Sequence, residues 1–461
     1  MKTIVDPTGA LDEGLAAIRR QYDVPAEFPP EVLAAADVAA TRTPADHVDR
    51  TGRAFVTLDP AGATDLDQAF AIEAAGADLL LHYAIADIAW FVEDGGPIDA
   101  EAWKRGATLY LPDGKARLYP PVLSEGVASL LPDGPRPAVV FTVRVAPDGA
   151  VRLDGAERAV VKSRAKLAYE TVTDADLPAD FAELSRRIAA AEERRGAARV
   201  DPPEQEVARA EGDGFTLDFR PRLPSEDRNA ALSLAANMAV ADTLLAHKTG
   251  LFRVMAAPDA RAVTRLRHSA RALGIHWPAG AALEEIERGL DLTKPRQAAF
   301  ALAIRRAGPG ASYAPWREGE LPWHAAVAAT YAHATAPLRR LADRYVVLAA
   351  LAVSNGRAVP DAAVAAFERL PKVMARADAL SGQIDRGVID LAEAVMLRGQ
   401  EGRMFAATVT DIDPRGARIQ LADLPVVARV TAHGVAPGAS VQVRLEAADP
   451  VSRKLTFQRV A

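Results

Sequence analysis

The 461-residue chain contains no cysteine, which excludes disulfides, thiolate metal sites and thiol nucleophiles. A chain without thiols fits a reducing compartment, and a cytoplasmic location is expected. Long apolar runs are also missing. No uninterrupted stretch reaches the length of a membrane span, and the opening MKTIVDPTGALDEG has no signal-peptide core, so no membrane partner is expected. Nor is there an excess of positive charge. The formal net charge is −6, so a nucleic-acid partner would need a locally basic surface rather than the field of the whole molecule.

What is present is the composition of an ordinary globular protein, 49% apolar and 25% charged, in a chain long enough for two or three domains. Residues 1–50 read as short helices, ALDEGLAAIRRQY and EVLAAADVAATR, separated by the proline-rich VPAEFPP. From residue 53 the pattern turns strand-like. QAFAIEAAG and DLLLHYAIADIAWFV suggest a hairpin turning near Gly76, and PAVVFTVRVAPDGAVRLDGAERAVVKSRAKL suggests two strands about PDGA. Residues 97–109 look helical, 176–250 mainly helical with a loop at 199–214, and helices dominate 259–400. From 402 to 461 short alternating strands follow one another at the spacing of a small barrel. That segment has eight Lys/Arg against five Asp/Glu, and its pattern fits an OB-type barrel, a common binder of single-stranded nucleic acid. The expected fold is therefore a multidomain α+β one, with a helical module over 1–50, a central mixed body over 51–400 and a barrel over 401–461.

The stretch TLDPAGATDLDQAF (57–70) holds Asp59, Asp65 and Asp67, followed by Gln68, with no lysine or arginine among them. Clustered aspartates usually mark a solvated turn or a helix cap. Here Phe55, Val56 and Leu58 precede them and Ala69, Phe70 and Ile72 follow, which points to a strand end and loop inside a core. Buried carboxylates without cationic neighbours are costly unless something neutralises them, and clustered hard oxygen ligands suit Mg²⁺, with Mn²⁺ as a substitute. A calcium loop would need an acidic ligand where Phe70 stands. Ions held by carboxylates can activate water for phosphodiester cleavage, a reaction that also needs a cation for the charge developing at phosphorus. YAHATAPLRRLADRY (331–345) offers one: Pro337 suits the first turn of a helix, which would put Arg339 and Arg340 near its start.

Together these segments resemble the ribonuclease II / ribonuclease R family. Its signature is an aspartate, a second six residues on, a third two further and a fourth immediately after. Asp59, Asp65 and Asp67 take the first three places, and Gln68 departs from the fourth. YLPDGKARLYPPVLSEG resembles the segment whose tyrosine packs on a terminal base, which carries that role to Tyr110. RNAALSLAANMAVADTL resembles the helix with an alanine–asparagine pair. TAPLRRLADRY resembles the arginine motif, with Ala336 and Leu341 as departures, and carries the catalytic arginine to Arg339. An acidic contact to the 3′-terminal nucleotide carries to Asp385, and 402–461 stands where the family has its RNA-binding barrel. YDVPAEFPPEVLAAA, from Tyr22, already resembles the approach to the catalytic domain, so residues 1–21 hold no cold-shock barrel of the kind the family commonly carries.

The resemblance implies a monomeric, Mg²⁺-dependent, processive 3′→5′ exoribonuclease that degrades single-stranded RNA, and RNA with 3′ overhangs, to nucleoside 5′-monophosphates. It implies Asp59, Asp65, Asp67 and Gln68 at the metal, Asp65, Asp67 and Arg339 in catalysis, and Tyr110, Arg340 and Asp385 on RNA. The alternative, motivated by Gln68, Ala336 and Leu341, is an RNA-binding protein with a degenerate nuclease core.

Overall fold

A computed structural model describes residues 2–460 except 7, 198–203, 211–213, 221, 293, 414–415 and 432–433. Its centre is a seven-stranded sheet in the order Ser163–Ala168, Phe55–Asp59, Gln68–Ala75, Asp78–Ala86, Arg136–Val145, Val151–Val161, Val48–Asp49. The first and last pairings are parallel and the rest antiparallel. Asp78–Ala86 and Arg136–Val145 are buried at almost every position, as their unbroken apolar runs require. Both expected hairpins form. Ala75 pairs with Asp78 across Gly76, whose φ is +67°. Val145 pairs with Val151 across Gly149, where φ is +75° and a Cβ would lie 2.2 Å from the Arg187 carbonyl oxygen, so glycine is required.

The helix Pro224–Ala246 packs on the strands Arg136–Val145 and Val151–Val161. By length and composition it is the one helix among the described residues that could cross a bilayer, and most of it is buried in the main core. The helix Leu341–Ser354 lies against it and against the long helix Asp361–Leu397. That 37-residue helix ties the molecule together. Ala363, Phe367, Leu370 and Met374 sit in the main core. Ile384, Val388 and Leu391 build a second core with Leu11, Leu15 and Ile18. Leu397 enters the core of the carboxy-terminal barrel.

The amino-terminal helices therefore do not form a module of their own. Ala10–Gln21 turns its apolar stripe toward the long helix, while Pro30–Ala40 sends Val32, Ala36 and Ala39 into the main core. The expected loop at 199–214 contains the strand Glu204–Arg209. It pairs with Phe215–Arg220, and Lys2–Ile4 completes a three-stranded sheet; 198–203 and 211–213 lie outside the described residues. Its charged residues hid the alternation that places Val207 against the second core. Ala311–Pro315, Trp323–His324 and Ala329–Thr330, within the region expected to be mainly helical, form a small sheet with Leu251–Met255, which precedes that region. The carboxy-terminal segment closes as a barrel of five strands, Met404–Asp413, Gly416–Leu421, Val427–Thr431, Lys454–Arg459 and Ser440–Asp449 in spatial order.

Candidate active site

The aspartates sit where two central strands meet at one end of the sheet. Asp59 is the last residue of Phe55–Asp59, and Asp67 immediately precedes Gln68–Ala75, its antiparallel neighbour. The loop between them is pinned at Leu66. This residue is fully buried; its N–H donates to Ser129 Oγ at 2.9 Å and its carbonyl accepts from Leu130 N–H at 3.0 Å. Asn229, on the helix Pro224–Ala246, supports the strand end by donating to the Leu58 carbonyl at 3.1 Å.

Asp67 is 4% exposed. It accepts the Leu338 N–H at 2.7 Å and Arg339 Nε at 3.2 Å. Burial pushes its carboxyl up to about 7, against the pull of Arg339 and the Leu338 amide. Asp59 is pushed up to about 6 by burial, again opposed by Arg339, and its Oδ2 is buried with no hydrogen-bond partner. The Arg339 side chain is 44% exposed, and beyond Asp67 it makes no hydrogen bond or ion pair among the described residues. Its outer nitrogens therefore face solvent beside two buried carboxylates.

The segment that delivers Arg339 is held by polar anchors. The fully buried Asp343 accepts the N–H groups of Thr335 and Ala336 at 3.0 and 2.8 Å, and it pairs with Arg340 through Nε at 3.0 Å and Nη2 at 2.8 Å. Asn237 accepts the Ala334 N–H at 2.8 Å. Thr108 N–H donates to the Arg339 carbonyl at 3.0 Å, and Leu341 N–H to that of Gly106 at 3.0 Å. These anchors correct the expected helix start. Pro337–Arg339 form a turn, Arg340 is extended, and the helix begins at Leu341. The amides of 335, 336 and 338 are spent on Asp343 and Asp67, so they form no open phosphate cradle.

The other expected site residues are distributed differently. Tyr110 is 49% exposed and its hydroxyl donates to Asp65 Oδ2 at 3.2 Å, so its ring stands at the site. Asp65 Oδ1 accepts Lys115 Nζ at 2.7 Å. The Gln68 amide oxygen accepts the Tyr83 hydroxyl at 2.6 Å and the Ser233 hydroxyl at 3.2 Å, an arrangement that ties it to the core rather than to the carboxylates. Arg340 is committed to Asp343, which leaves little of it for RNA. Asp385 is exposed on the long helix and touches Ser381 at 3.4 Å; no described hydrogen bond or ion pair joins it to the site. Sequence reasoning missed Lys115, and it matched Asp343 to the arginine motif without giving it a role. Pro112-Asp113 followed by Gly114, between short apolar segments, is a turn signal, and with Pro112 and Asp113 as the loop Lys115 stands opposite Tyr110.

Among the described residues no three His, Asp or Glu side chains converge closely enough to hold a metal ion. Asp59 and Asp67 fit a divalent cation, since both bear a burial penalty that such a charge would relieve and Asp59 has an unpartnered oxygen. Asp67, like Asp65, has both oxygens hydrogen-bonded, but its partners are a backbone amide and a half-exposed guanidinium; Asp65, held by a shielded ammonium and the Tyr110 hydroxyl, and Gln68, with its oxygen held by two hydroxyls, fit the ion less well. Two cavities of about 700 and 750 Å³ lie elsewhere, and neither is lined by these residues.

Residues 48–353 match the RNB domain model, and residues 403–460 match the RNase II-type exonuclease C-terminal S1 domain. Ribonuclease R of Thermotoga maritima is 25% identical over 455 residues, covering 91% of this chain and 64% of that protein. The chain spans 54% and 61% of the next two curated relatives, both also named as ribonuclease R. In structure it is similar to Mycoplasma genitalium RNase R in complex with ribose-methylated single-stranded RNA (TM-score 0.86, 19% identity, 99% of this chain and 79% of that one). It is also similar to yeast Ssd1, described as a pseudonuclease (TM-score 0.68, 15% identity, 98% and 58%). Since the RNB match alone covers most of the chain, and its boundaries enclose both the aspartate loop and the Arg339 turn, the chain belongs to the RNB family and carries a carboxy-terminal barrel of the RNase II S1 type.

Proposed function

We propose that the chain is a hydrolytic 3′→5′ exoribonuclease that takes single-stranded RNA, including single-stranded 3′ overhangs, and releases nucleoside 5′-monophosphates processively. The observation that carries this reading is the contact of Asp67 with Arg339: a buried carboxylate held near neutrality touches a guanidinium whose outer nitrogens face solvent. Family membership and the printed names of the relatives, ribonuclease R and exoribonuclease 2, support it. So do the Mycoplasma genitalium enzyme's complexes with single-stranded and double-stranded RNA.

In this reading Tyr110 presents a π-face on which a terminal base of any identity can stack. Arg339 donates to the scissile phosphate as charge develops there, while Asp67 fixes the guanidinium and helps to orient the attacking water, whose proton passes to solvent. Asp59 and Asp67 would hold a divalent cation, Mg²⁺ or in its place Mn²⁺, which would supply a lowered pKa for water and offset charge on the leaving oxygen. The barrel gathers RNA, and the enzyme works as a cytoplasmic monomer.

A second reading, RNA binding without cleavage, is favoured by the Gln68 oxygen sealed between Tyr83 and Ser233. The two separate on 5′-end-labelled unstructured RNA incubated with Mg²⁺ or with EDTA. The nuclease shortens the label stepwise from the 3′ end in Mg²⁺ alone. Intact RNA in both, with a retarded complex, would establish the second reading.

A further inference from the structure

The hairpin formed by Leu109–Leu111 and Gly114–Ala116 brings two side chains to one carboxylate. Tyr110 and Lys115 are directly opposite and so share a face. One takes each oxygen of Asp65: the Tyr110 hydroxyl donates to Oδ2 at 3.2 Å and Lys115 Nζ to Oδ1 at 2.7 Å. Lys115 is not a loose surface cation. Its Nζ also lies 2.5 Å from Glu125 Oε1 and 3.3 Å from Thr64 Oγ1. Glu125 is fixed in turn by Arg117 Nη2 at 2.9 Å and the Thr64 hydroxyl at 2.8 Å. Partial burial works to raise the Glu125 carboxyl, but its bonds to Lys115, Arg117 and Thr64 overcome this and hold it down to about 2. The side chains of Lys115, Asp65 and Glu125 are all less than one-fifth exposed.

We propose that Lys115 is a resident cation of the active site: its ammonium takes the charge position beside Asp65 that a second divalent ion would occupy, leaving Asp59 and Asp67 to hold a single ion. The proposal rests on the metal-dependent reading above. Charge agrees with it. Gln68 contributes none, Lys115 neutralises one of the three aspartates, and the two that remain, with Arg339 already against Asp67, leave charge for no more than one divalent ion. Geometry agrees as well, since Asp65 has both oxygens occupied whereas Asp59 keeps one with no partner. Lys115 is then a positioning residue. It fixes Asp65, and through that shared carboxylate it fixes the Tyr110 hydroxyl above the site.

The test counts ions without turnover. Mn²⁺ is titrated into the full chain in the absence of RNA, with the free ion followed by electron paramagnetic resonance. Wild type is expected to bind one Mn²⁺. Asp59→Asn should weaken it by at least about tenfold and Asp65→Asn by less than about threefold, a difference well resolved in free energy. Lys115→Met frees Asp65 and should admit a second ion, while Lys115→Arg keeps the charge and should hold the count at one. If Lys115→Met does not fold, Asp65→Asn and Lys115→Arg carry the test. Two ions on wild type, or equal losses in Asp65→Asn and Asp59→Asn, would overturn the proposal and leave the metal-dependent reading standing. No Mn²⁺ on wild type, together with RNA cleavage in EDTA, would overturn both.

Discussion

Two of the places where burial raises the pKa of a carboxyl group are built in opposite ways. At the end of the central sheet, Asp67 touches Arg339, Asp59 has an unpartnered oxygen, and the arginine is open to solvent. Where the long helix meets the barrel, Glu393 is 3% exposed and is pushed up to about 8 by burial. This happens although the Val427 N–H and Gln205 Nε2 both donate to it, each at 2.6 Å. Gln205 also donates to the Pro425 carbonyl at 2.8 Å, so one amide and one carboxyl stitch long helix, three-stranded sheet and barrel together. Neutral donors at close range and no opening make Glu393 a fastening. A cation, an unpartnered oxygen and an opening make the aspartates a centre able to act on something that arrives. A raised pKa alone does not distinguish the two; the partners do.

The largest break in this symmetry should come from Arg339→Ala. Removing a preorganised donor from charge development costs about 10²–10³ in rate, so single-turnover cleavage should fall by that much while the protein melts as wild type does. Glu393→Ala should act the other way. It strands the Val427 N–H and leaves the half-buried Gln205 amide only its bond to the Pro425 carbonyl, at a cost of about 1–3 kcal/mol of stability, visible in chemical denaturation, with cleavage per folded molecule unchanged. Tyr110→Ala should weaken binding of short RNA by about 1 kcal/mol or more, the worth of one stacked base, read by fluorescence anisotropy on a catalytically inactive background.

A last difference is in the pH profile of stability. The Glu393 carboxyl ionises at a higher pH folded than unfolded. The stabilisation it confers is therefore complete below the unfolded pKa, declines as pH rises toward about 8 and is absent above that. Wild type should accordingly lose more stability than Glu393→Gln between pH 6 and 9. Parallel profiles would show that the carboxyl is not the titrating fastener.

Much of the site was legible because it is local. The aspartates lie within one loop and its flanking strand ends, and apolar residues on either side announced a core. The barrel was legible from its alternation. What escaped has one cause, polar partners far apart in the chain. Arg339 was singled out as the cation for the site, but nothing in the sequence pointed to the hydrogen bonds of Asp67 with Leu338 and Arg339, and nothing near Glu393 points to Gln205. The helix after Pro337 starts late because Asp343 and Asp67 capture amides that would otherwise open it. Helix Ala10–Gln21 was readable as amphipathic, but its partner, the far end of Asp361–Leu397, was not. Gln68 could be recognised as a departure by its place in the sequence; that Tyr83 and Ser233 hold its oxygen needed the fold.

The central claim is that the Asp67–Arg339 contact performs the chemistry while the Glu393 junction only holds the parts together. The most direct measurement compares Asp67→Asn with Glu393→Gln, using single-turnover digestion of end-labelled single-stranded RNA in Mg²⁺ resolved to single nucleotides, with RNA affinity measured alongside. The account predicts that Asp67→Asn binds RNA at least as well as wild type yet loses more than about 100-fold in cleavage, roughly 2.7 kcal/mol of barrier, and that Glu393→Gln cleaves like wild type. Asp67→Asn keeping more than about a tenth of the wild-type rate, a loss below about 1.4 kcal/mol, would contradict it.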